Sequence, residues 1–188
     1  MNVTMRAPMT MAQFLAWEER QELKHEFDGI APQAMSGGTV AHAAIQRNLA
    51  MSIGSRLRGK RCQFYGSDLK IEVAGSIRYP DGIVVCTPVA PGIRVVSEPV
   101  IIFEVLSEST GRTDLTIKNR EYAATPSVMR YVILEQDAIA GTEFARVGDD
   151  WLGHILNADS ILRMPEIGID CPLAELYDGL DLQARAEA

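Results

Sequence analysis

The chain has few cysteines, no excess of basic residues and no long apolar run, and each shortage argues against a class of protein. Cys62, Cys86 and Cys171 form no C-x-x-C pair, so three reduced thiols in a cytoplasmic protein are expected rather than a disulfide framework. No apolar segment approaches the roughly 20 residues that a membrane-spanning helix needs. The first residues hold no continuous apolar stretch, so no secretory signal peptide is expected.

Basic residues do not outnumber acidic ones, and the formal net charge is -7. Affinity for a nucleic-acid backbone comes mainly from Lys and Arg that neutralise phosphates, so this charge argues against a protein that coats DNA or RNA. It does not exclude a nuclease, because a bound metal ion adds positive charge locally. The one dense basic stretch, residues 56–61, is interpreted as a solvated helix end rather than a DNA contact.

Several catalytic signatures are also missing. The chain has no complete phosphate loop of the G-x-x-x-x-G-K-[ST] type, no G-x-G-x-x-G after a strand, no G-x-S-x-G and no H-E-x-x-H. No histidine is placed by its spacing beside a nucleophile or a second metal ligand. His42, at the start of a predicted helix, is interpreted as a capping or packing group.

The composition is that of an ordinary globular protein, with 47% hydrophobic and 23% charged residues. At 188 residues, a single domain over residues 1–188 is expected, with its core at about 10–177. Apolar periodicity and turn residues predict an α/β (α+β) fold, a mixed β-sheet flanked by helices with a C-terminal β-hairpin extension. The predicted helices are 10–24, 39–57 and 111–124, and the predicted strands are 25–30, 31–35, 62–65, 69–74, 78–86, 99–106, 131–134, 143–147 and 151–156.

Two acidic residues on neighbouring predicted strands carry the strongest chemical signal. Asp81 follows Pro80 in a Pro-Asp pair, and Glu104 lies inside the otherwise apolar strand at 99–106. A carboxylate in an apolar strand has a large desolvation cost and therefore needs a specific role. Mg²⁺ prefers a few anionic oxygens and keeps positions for water and phosphate, so the pair predicts a site for Mg²⁺ or Mn²⁺ in a phosphodiesterase. The Val105 backbone carbonyl is the third expected metal ligand.

A lysine near the acidic pair would orient or help to deprotonate the attacking water and would stabilise charge on the phosphate. If a hairpin turn falls at residues 75–76, Lys70 lies directly across from Asp81, with Cβ atoms roughly 5 Å apart. Lys118 is the second candidate for this role, because its helix follows the Glu104 strand after a short loop. The residue pattern alone does not decide whether Lys70 or Lys118 has this role.

Most of these residues also have a structural interpretation. A Pro-Asp pair commonly starts a turn, and Lys70 opposite Asp81 would form a surface ion pair worth under roughly 1 kcal/mol. Lys118 would then be a solvated helix charge. Glu26, near the end of the first predicted helix, is a further candidate ligand of the metal or of the attacking water. Glu104 is hardest to explain structurally, because its flanking residues are continuously apolar.

Several stretches together resemble the Uma-two family of restriction endonucleases, a branch of the PD-(D/E)XK nuclease superfamily. The resemblance covers the chain from about residue 10 to residue 177 and depends on the order and spacing of the stretches. The matching stretches are E-F-D-G at 26–29, H-A-A-I-Q-R-N-L at 42–49, Y-G-S-D-L-K-I at 65–71, Y-P-D-G-I-V-V-C at 79–86, F-E-V-L-S at 103–107, S-T at 109–110, D-L at 114–115, Lys118, Tyr122 and Y-V-I-L at 131–134.

The resemblance implies a restriction-endonuclease-like core, Asp81 and Glu104 as its acidic pair, and Mg²⁺-dependent cleavage of DNA. Leu106 stands where the superfamily pattern has a lysine, so the resemblance implies a lysine that has migrated elsewhere. It points to Lys118 as much as the hairpin argument points to Lys70.

Three hypotheses follow. The first is a metal-dependent endonuclease that hydrolyses DNA phosphodiester bonds, as a homodimer because cutting two strands favours two active sites. The second is a catalytically inactive nuclease fold that binds a protein or nucleic-acid partner, which the acidic net charge and Leu106 favour. The third is a metal-dependent hydrolase of small phosphoesters, which an acidic surface tolerates better. No membrane partner is expected.

Overall fold

The computed structural model describes residues 8–35, 37–106 and 114–182. The predicted fold class, a mixed α/β (α+β) architecture with flanking helices and a C-terminal hairpin, is confirmed. The described helices are α1 (Met11–Glu18), α2 (Val40–Arg56) and α3 (Asn119–Ala123), with a π-helical turn (Asp114–Lys118) before α3 and a 3₁₀ helix (Leu173–Tyr177) near the end. The described strands are β1 (His25–Phe27), β2 (Pro32–Ala34), β3 (Gln63–Gly66), β4 (Lys70–Val73), β5 (Ser76–Arg78), β6 (Gly82–Val85), β7 (Val95–Val96), β8 (Pro99–Val105), β9 (Arg130–Leu134), β10 (Gly141–Val147), β11 (Asp150–Leu156), β12 (Ile161–Met164) and β13 (Ile169–Pro172).

Within these residues the strands form two larger sheets and one ribbon. The N-terminal sheet has five strands in the order β2-β1-β5-β4-β7, the central sheet has six in the order β11-β10-β9-β8-β6-β3, and β12 pairs with β13. Strands β8 and β9 run parallel at the middle of the central sheet, and both are almost fully buried. Strands covered on both faces are continuously apolar in sequence, which is why these two were predictable.

Helix α2 covers one face of the central sheet. The Thr39 hydroxyl caps it by accepting a hydrogen bond from the His42 backbone N–H at 3.1 Å. Ile45, Leu49 and Ile53 recur at helical spacing and are completely buried in the core beneath the helix. This packing fixes α2 over the sheet and brings its first two turns close to Asp81, the residue before β6.

Helix α1 begins as predicted but ends early. Thr10 and Gln13 form the expected capping box, in which each side chain accepts a hydrogen bond from the other residue's backbone N–H. The helix ends at Glu18 rather than at residue 24. Beyond this point no apolar side chain continues the buried face, since Leu23 is 63% exposed.

The predicted strand at residues 78–86 is wrong as a single element. The chain forms β5 in the N-terminal sheet and β6 in the central sheet, separated by Tyr79, Pro80 and Asp81. Pro80 has no backbone N–H for a strand ladder, so pairing is interrupted there. This segment is the crossover from one sheet to the other, and it leaves Asp81 immediately before β6.

The hairpin register predicted for Lys70 is also wrong. Ala74 and Gly75 form the turn with φ angles of 45° and 83°, which suits the type I′ turn of a two-residue hairpin. The register of β4 and β5, continued by one residue, sets Lys70 opposite Tyr79 rather than Asp81.

The expectation of three reduced thiols is wrong for two of them. Cys62 and Cys86 form a disulfide. They are distant in sequence, but the register of the neighbouring strands β3 and β6, continued by one residue, sets them opposite each other. Cys171 remains a buried thiol, and burial raises its pKa to about 11. Little thiolate therefore forms at neutral pH, and we infer that Cys171 is chemically inert.

The predicted helix at residues 111–124 is only partly as expected. Residues 111–113 lie outside the described residues, and the remainder is the π-helical turn followed by α3. Such turns are rare and frequently occur at functional sites. This one ends at Lys118.

Three short strands were not predicted. Strand β7 has two residues, and β12 and β13 have four each. Among the described residues, no helix is both long enough and apolar enough to cross a membrane.

Candidate active site

Asp81 lies immediately before β6, and its carboxylate is held from two directions. Oδ2 accepts a hydrogen bond from the Val105 backbone N–H at 2.6 Å, and Oδ1 accepts one from Gln46 Nε2 at 2.5 Å. His42 Nε2 lies 3.3 Å from Oδ2. His42 and Gln46 are one turn apart on α2, so the helix presents both side chains to the same carboxylate.

Glu104 stands beside Asp81 on the neighbouring strand. Gly82 pairs with Phe103 in the antiparallel ladder of β6 and β8, and the ladder continued by one residue sets Asp81 opposite Glu104. Opposed residues project from the same face with Cβ atoms about 5 Å apart. Glu104 is only 4% exposed, so the structure places this carboxylate in a nearly water-free position.

Lys118 lies between two carboxylates. Its Nζ is 2.9 Å from Glu104 Oε1 and 3.3 Å from Glu26 Oε1. Tyr122, one turn further along, donates a hydrogen bond from Oη to the same Glu104 oxygen at 3.2 Å. The Lys118 side chain is 5% exposed, so these charges interact across little water and more strongly than they would at the surface.

Glu26 is held by the last residue of β5 and by the first residue of the crossover. Its Oε1 also accepts a hydrogen bond from the Tyr79 backbone N–H at 3.0 Å, and its Oε2 accepts one from Arg78 Nη1 at 3.2 Å. Arg78 in turn donates to both oxygens of Glu121, at 2.6 and 2.7 Å. Burial opposes the charge on Arg78, but the two glutamates outweigh it and hold the guanidinium pKa above its usual value.

These contacts form a chain of alternating charge that runs from Glu121 through Arg78, Glu26 and Lys118 to Glu104. Each buried charge has an opposite charge beside it, which offsets the cost of removing both from water. This series of ion pairs joins β1, β5, the π-helical turn, α3 and β8. Residues that are far apart in sequence therefore meet at the end of the central sheet.

The acidic pair offers the oxygen ligands that Mg²⁺ and Mn²⁺ prefer. Within the described residues, no group of three or more His, Cys, Asp and Glu side chains is arranged to hold a metal ion. Asp81 and Glu104 nevertheless fit Mg²⁺, which usually takes one or two protein carboxylates and keeps several waters. The backbone of Val105, the residue after Glu104, already lies against Asp81.

Lys70 lies outside this cluster. Its ammonium forms a buried ion pair with Glu18 at 2.5 Å, and Tyr79 Oη donates to the other Glu18 oxygen at 2.8 Å. Burial favours the neutral form of Glu18, but the hydrogen bonds from Lys70 and Tyr79 outweigh burial and lower the Glu18 pKa. Lys70 thus joins α1 to the N-terminal sheet instead of approaching Asp81.

Replacing Glu18 with glutamine should destabilise the protein at neutral pH by roughly 3 kcal/mol, because Lys70 loses its buried counter-ion. The lowered folded pKa contributes stability that is present above the ordinary value of 4.5 and is lost as pH falls through the folded value. Urea unfolding of wild type and E18Q at several pH values measures the difference. It should be largest near neutrality and shrink in acid, and a difference independent of pH would contradict the ion-pair role.

Several residues that contact the site were not predicted to do so. His42 and Gln46 had a signal, since they are polar residues four apart at the start of a predicted amphipathic helix. Tyr122 belonged to the motifs of the family resemblance, without an assigned role. Arg78 had no signal, because its partners Glu26 and Glu121 are distant in sequence.

The basic stretch at residues 56–61 is engaged with the protein itself. Arg56 pairs with Glu175 at 2.8 Å, and Arg61 Nε donates to the Cys86 carbonyl at 2.9 Å. These contacts support its interpretation as a helix end.

A known protein family matches nearly all of the elements described above. A family model named Uma2 and described as "Putative restriction endonuclease" matches residues 11–171, from α1 to β13. The chain belongs to the Uma2 family. The resemblance drawn from the order of the sequence motifs, there called Uma-two, is therefore confirmed.

Two proteins of Synechocystis sp. (strain PCC 6803) are similar to this Uma2 chain. The uncharacterized protein slr1290 is 32% identical over 172 residues, which cover 89% of this chain and 90% of that protein. The uncharacterized protein sll1609 is 26% identical over 150 residues, covering 77% of this chain and 85% of that protein.

A solved structure shares the fold of this Uma2 protein. The crystal structure of a "putative nuclease belonging to DUF820" from Anabaena variabilis matches with a TM-score of 0.75 at 16% identity, covering 90% of this chain and 98% of that one. At this identity the likeness concerns the fold alone, and it confirms the predicted nuclease-like architecture.

Proposed function

We propose that this Uma2 protein is a Mg²⁺- or Mn²⁺-dependent endonuclease that hydrolyses phosphodiester bonds of DNA. The observation that carries the proposal is the apposition of Asp81 and Glu104, with the Lys118 ammonium 2.9 Å from Glu104. Membership of a family described as restriction endonucleases supports a nucleic acid as the substrate.

In this proposal, Asp81, Glu104 and the Val105 backbone carbonyl would hold the metal ion. When bound, the ion polarises the phosphodiester and lowers the pKa of a coordinated water. The hydrogen bonds from Gln46 and the Val105 N–H orient the Asp81 carboxylate in advance. A ligand that is already oriented loses less entropy when substrate and metal assemble.

Lys118 supplies the positive charge of the proposed site. It orients the attacking water and stabilises the negative charge that develops on the phosphoryl oxygens. Glu26 acts through Lys118, whose Nζ lies 3.3 Å from Glu26 Oε1, rather than as a metal ligand. In this scheme Lys70 has a structural role, which is its ion pair with Glu18.

A homodimer also belongs to the proposal, because cleavage of both DNA strands needs two active sites and twofold symmetry supplies them. Sedimentation of the purified protein with and without a DNA duplex tests this, and a monomer under both conditions would contradict it. The cytoplasmic location expected from the sequence stays a prediction.

Titration calorimetry with Mg²⁺ and Mn²⁺ in the presence of a DNA duplex tests the metal site. Wild type should bind the ion, and the D81N/E104Q double variant, which keeps the side-chain volumes, should lose measurable binding because Mg²⁺ needs anionic oxygens. A plasmid-nicking assay on the same preparations reports the chemistry. Folded wild type that neither binds the metal nor nicks plasmid would contradict the proposal.

A second candidate is a non-catalytic binding module with the same fold. The observation that favours it is that two of the buried carboxylates already have partners within the protein. Glu26 accepts a hydrogen bond from Arg78, and Glu104 accepts hydrogen bonds from Lys118 and Tyr122. This alternative predicts that D81N/E104Q binds its partner as well as wild type does, and that neither protein nicks plasmid.

A further inference from the structure

A cleft of about 670 Å³ opens between β3, an edge strand of the central sheet, and the segment leading into β7. Tyr65, Leu69 and Val89 line it and are partly buried against the core between the two sheets. Gln63 and Asp68 add polar groups to the lining. A concave, largely apolar site with a few polar groups is typical of small-molecule recognition.

The cleft begins next to the candidate active site. Gly66, one of its lining residues, pairs with Gly82 in the ladder of β3 and β6. Continued by one residue, this ladder sets Ser67, another lining residue, opposite Asp81. Neighbouring strands are about 4.8 Å apart, so a nucleotide attached to a phosphate at Asp81 lies within reach of the cleft.

The charge of the lining favours a nucleobase over a phosphate. Asp68 is the only charged side chain among the lining residues that the structure describes. The Asp68 side chain is 96% exposed, so it lies at the open edge of the cleft, where Lys24 pairs with it and also donates to the Ser67 carbonyl at 3.2 Å. A carboxylate repels phosphate but accepts hydrogen bonds from the exocyclic amino group of a base.

The remaining polar lining complements the same ligand. Tyr65 Oη donates a hydrogen bond to Gln63 Oε1 at 2.8 Å, which orients the Gln63 amide and leaves its Nε2 group as a donor. A donor at Gln63 and an acceptor at Asp68 match the ring acceptor and the exocyclic amino group that cytosine, adenine and guanine each carry. The Tyr65 ring adds an aromatic surface on which a base can stack.

We propose that this cleft binds a base that carries an exocyclic amino group (cytosine, adenine or guanine), as the base of the nucleotide next to the cleaved phosphodiester. The inference rests on the proposed endonuclease function, because the nucleotide would belong to the DNA that is cleaved. It adds to that function the class of base that the protein recognises. Thymine, which has no exocyclic amino group, is the natural comparison.

The test is a titration of the full-length, ¹⁵N-labelled protein with deoxycytidine and with thymidine, without divalent metal, followed by NMR. Deoxycytidine should shift the amide signals of Tyr65, Leu69 and Val89 and bind at least about fivefold more tightly than thymidine. A90F places a ring at the exposed lining residue Ala90 and should weaken deoxycytidine binding about tenfold. A174F is the control, because Ala174 is exposed on the distant 3₁₀ helix.

Absence of these shifts in wild type, equal affinity for both nucleosides, or undiminished binding by folded A90F overturns the proposal. Plasmid nicking separates it from the endonuclease proposal. Nicking by a wild type that binds no nucleoside overturns the base site alone. Selective deoxycytidine binding by a protein that does not nick supports the base site and contradicts the endonuclease.

Discussion

Replacing Lys118 with methionine should lower the rate of DNA cleavage by about 10²- to 10³-fold without weakening Mg²⁺ binding. Methionine keeps most of the side-chain volume but removes the ammonium that lies 2.9 Å from Glu104. Loss of one preoriented group that stabilises developing charge typically costs this much in rate. Metal binding should persist, because the proposed ligands Asp81, Glu104 and the Val105 carbonyl remain. Initial rates of plasmid nicking at saturating Mg²⁺ measure the cleavage rate, and titration calorimetry measures the affinity for Mg²⁺.

Lys70→Met is the matched control for this experiment. Lys70 and Lys118 are both buried, and each is ion-paired with a glutamate. Both substitutions should destabilise the fold, so rates are compared at a temperature where both variants are folded. Only Lys118→Met should lose turnover. Normal nicking by Lys118→Met, or an equal loss in Lys70→Met, would contradict the role assigned to Lys118.

Replacing Arg78 with methionine should destabilise the protein by about 3–5 kcal/mol, the usual cost of removing one partner from a buried ion pair. The Arg78 side chain is 1% exposed, and the substitution leaves Glu121 and Glu26 without the guanidinium they share. For a chain of this size the midpoint of thermal unfolding should fall by roughly 10 °C. Chemical and thermal unfolding of the purified variants measure the two effects.

Arg94→Met is the control for the stability experiment. Arg94 is also paired with a glutamate, Glu19, but at 3.8 Å and with a side chain that is 74% exposed. Exposed pairs contribute little, so this variant should lose less than about 1 kcal/mol. Similar stability losses in the two variants would show that burial of the Arg78 contacts does not decide their strength.

The acidic pair was predictable because its signal is local. Glu104 lies within a continuously apolar strand and Asp81 follows a proline, and both facts are visible without knowledge of the fold. The choice of lysine was not predictable. It depended on the position of one hairpin turn, and the turn at Ala74 and Gly75 sets Lys70 opposite Tyr79. The catalytic roles of all these residues stay predictions.

The main elements of the fold were predictable for the same reason. The stripe of Ile45, Leu49 and Ile53 identified α2, and the apolar runs identified β8 and β9. The split at Pro80 was missed, because apolar residues on both sides of it suggested one strand. The Cys62–Cys86 disulfide was missed because only the pairing of β3 with β6 brings the two cysteines together.

The sequence by itself determined the fold class, the family motifs and the two carboxylates of the candidate site, since hydrophobic periodicity and residue chemistry act over short stretches of chain. Only the tertiary structure decided which charges meet. The partners of Glu26, Arg78 and Lys118 come from separate elements. Their contacts depend on strand register and sheet packing, where a small shift of one strand exchanges every neighbour.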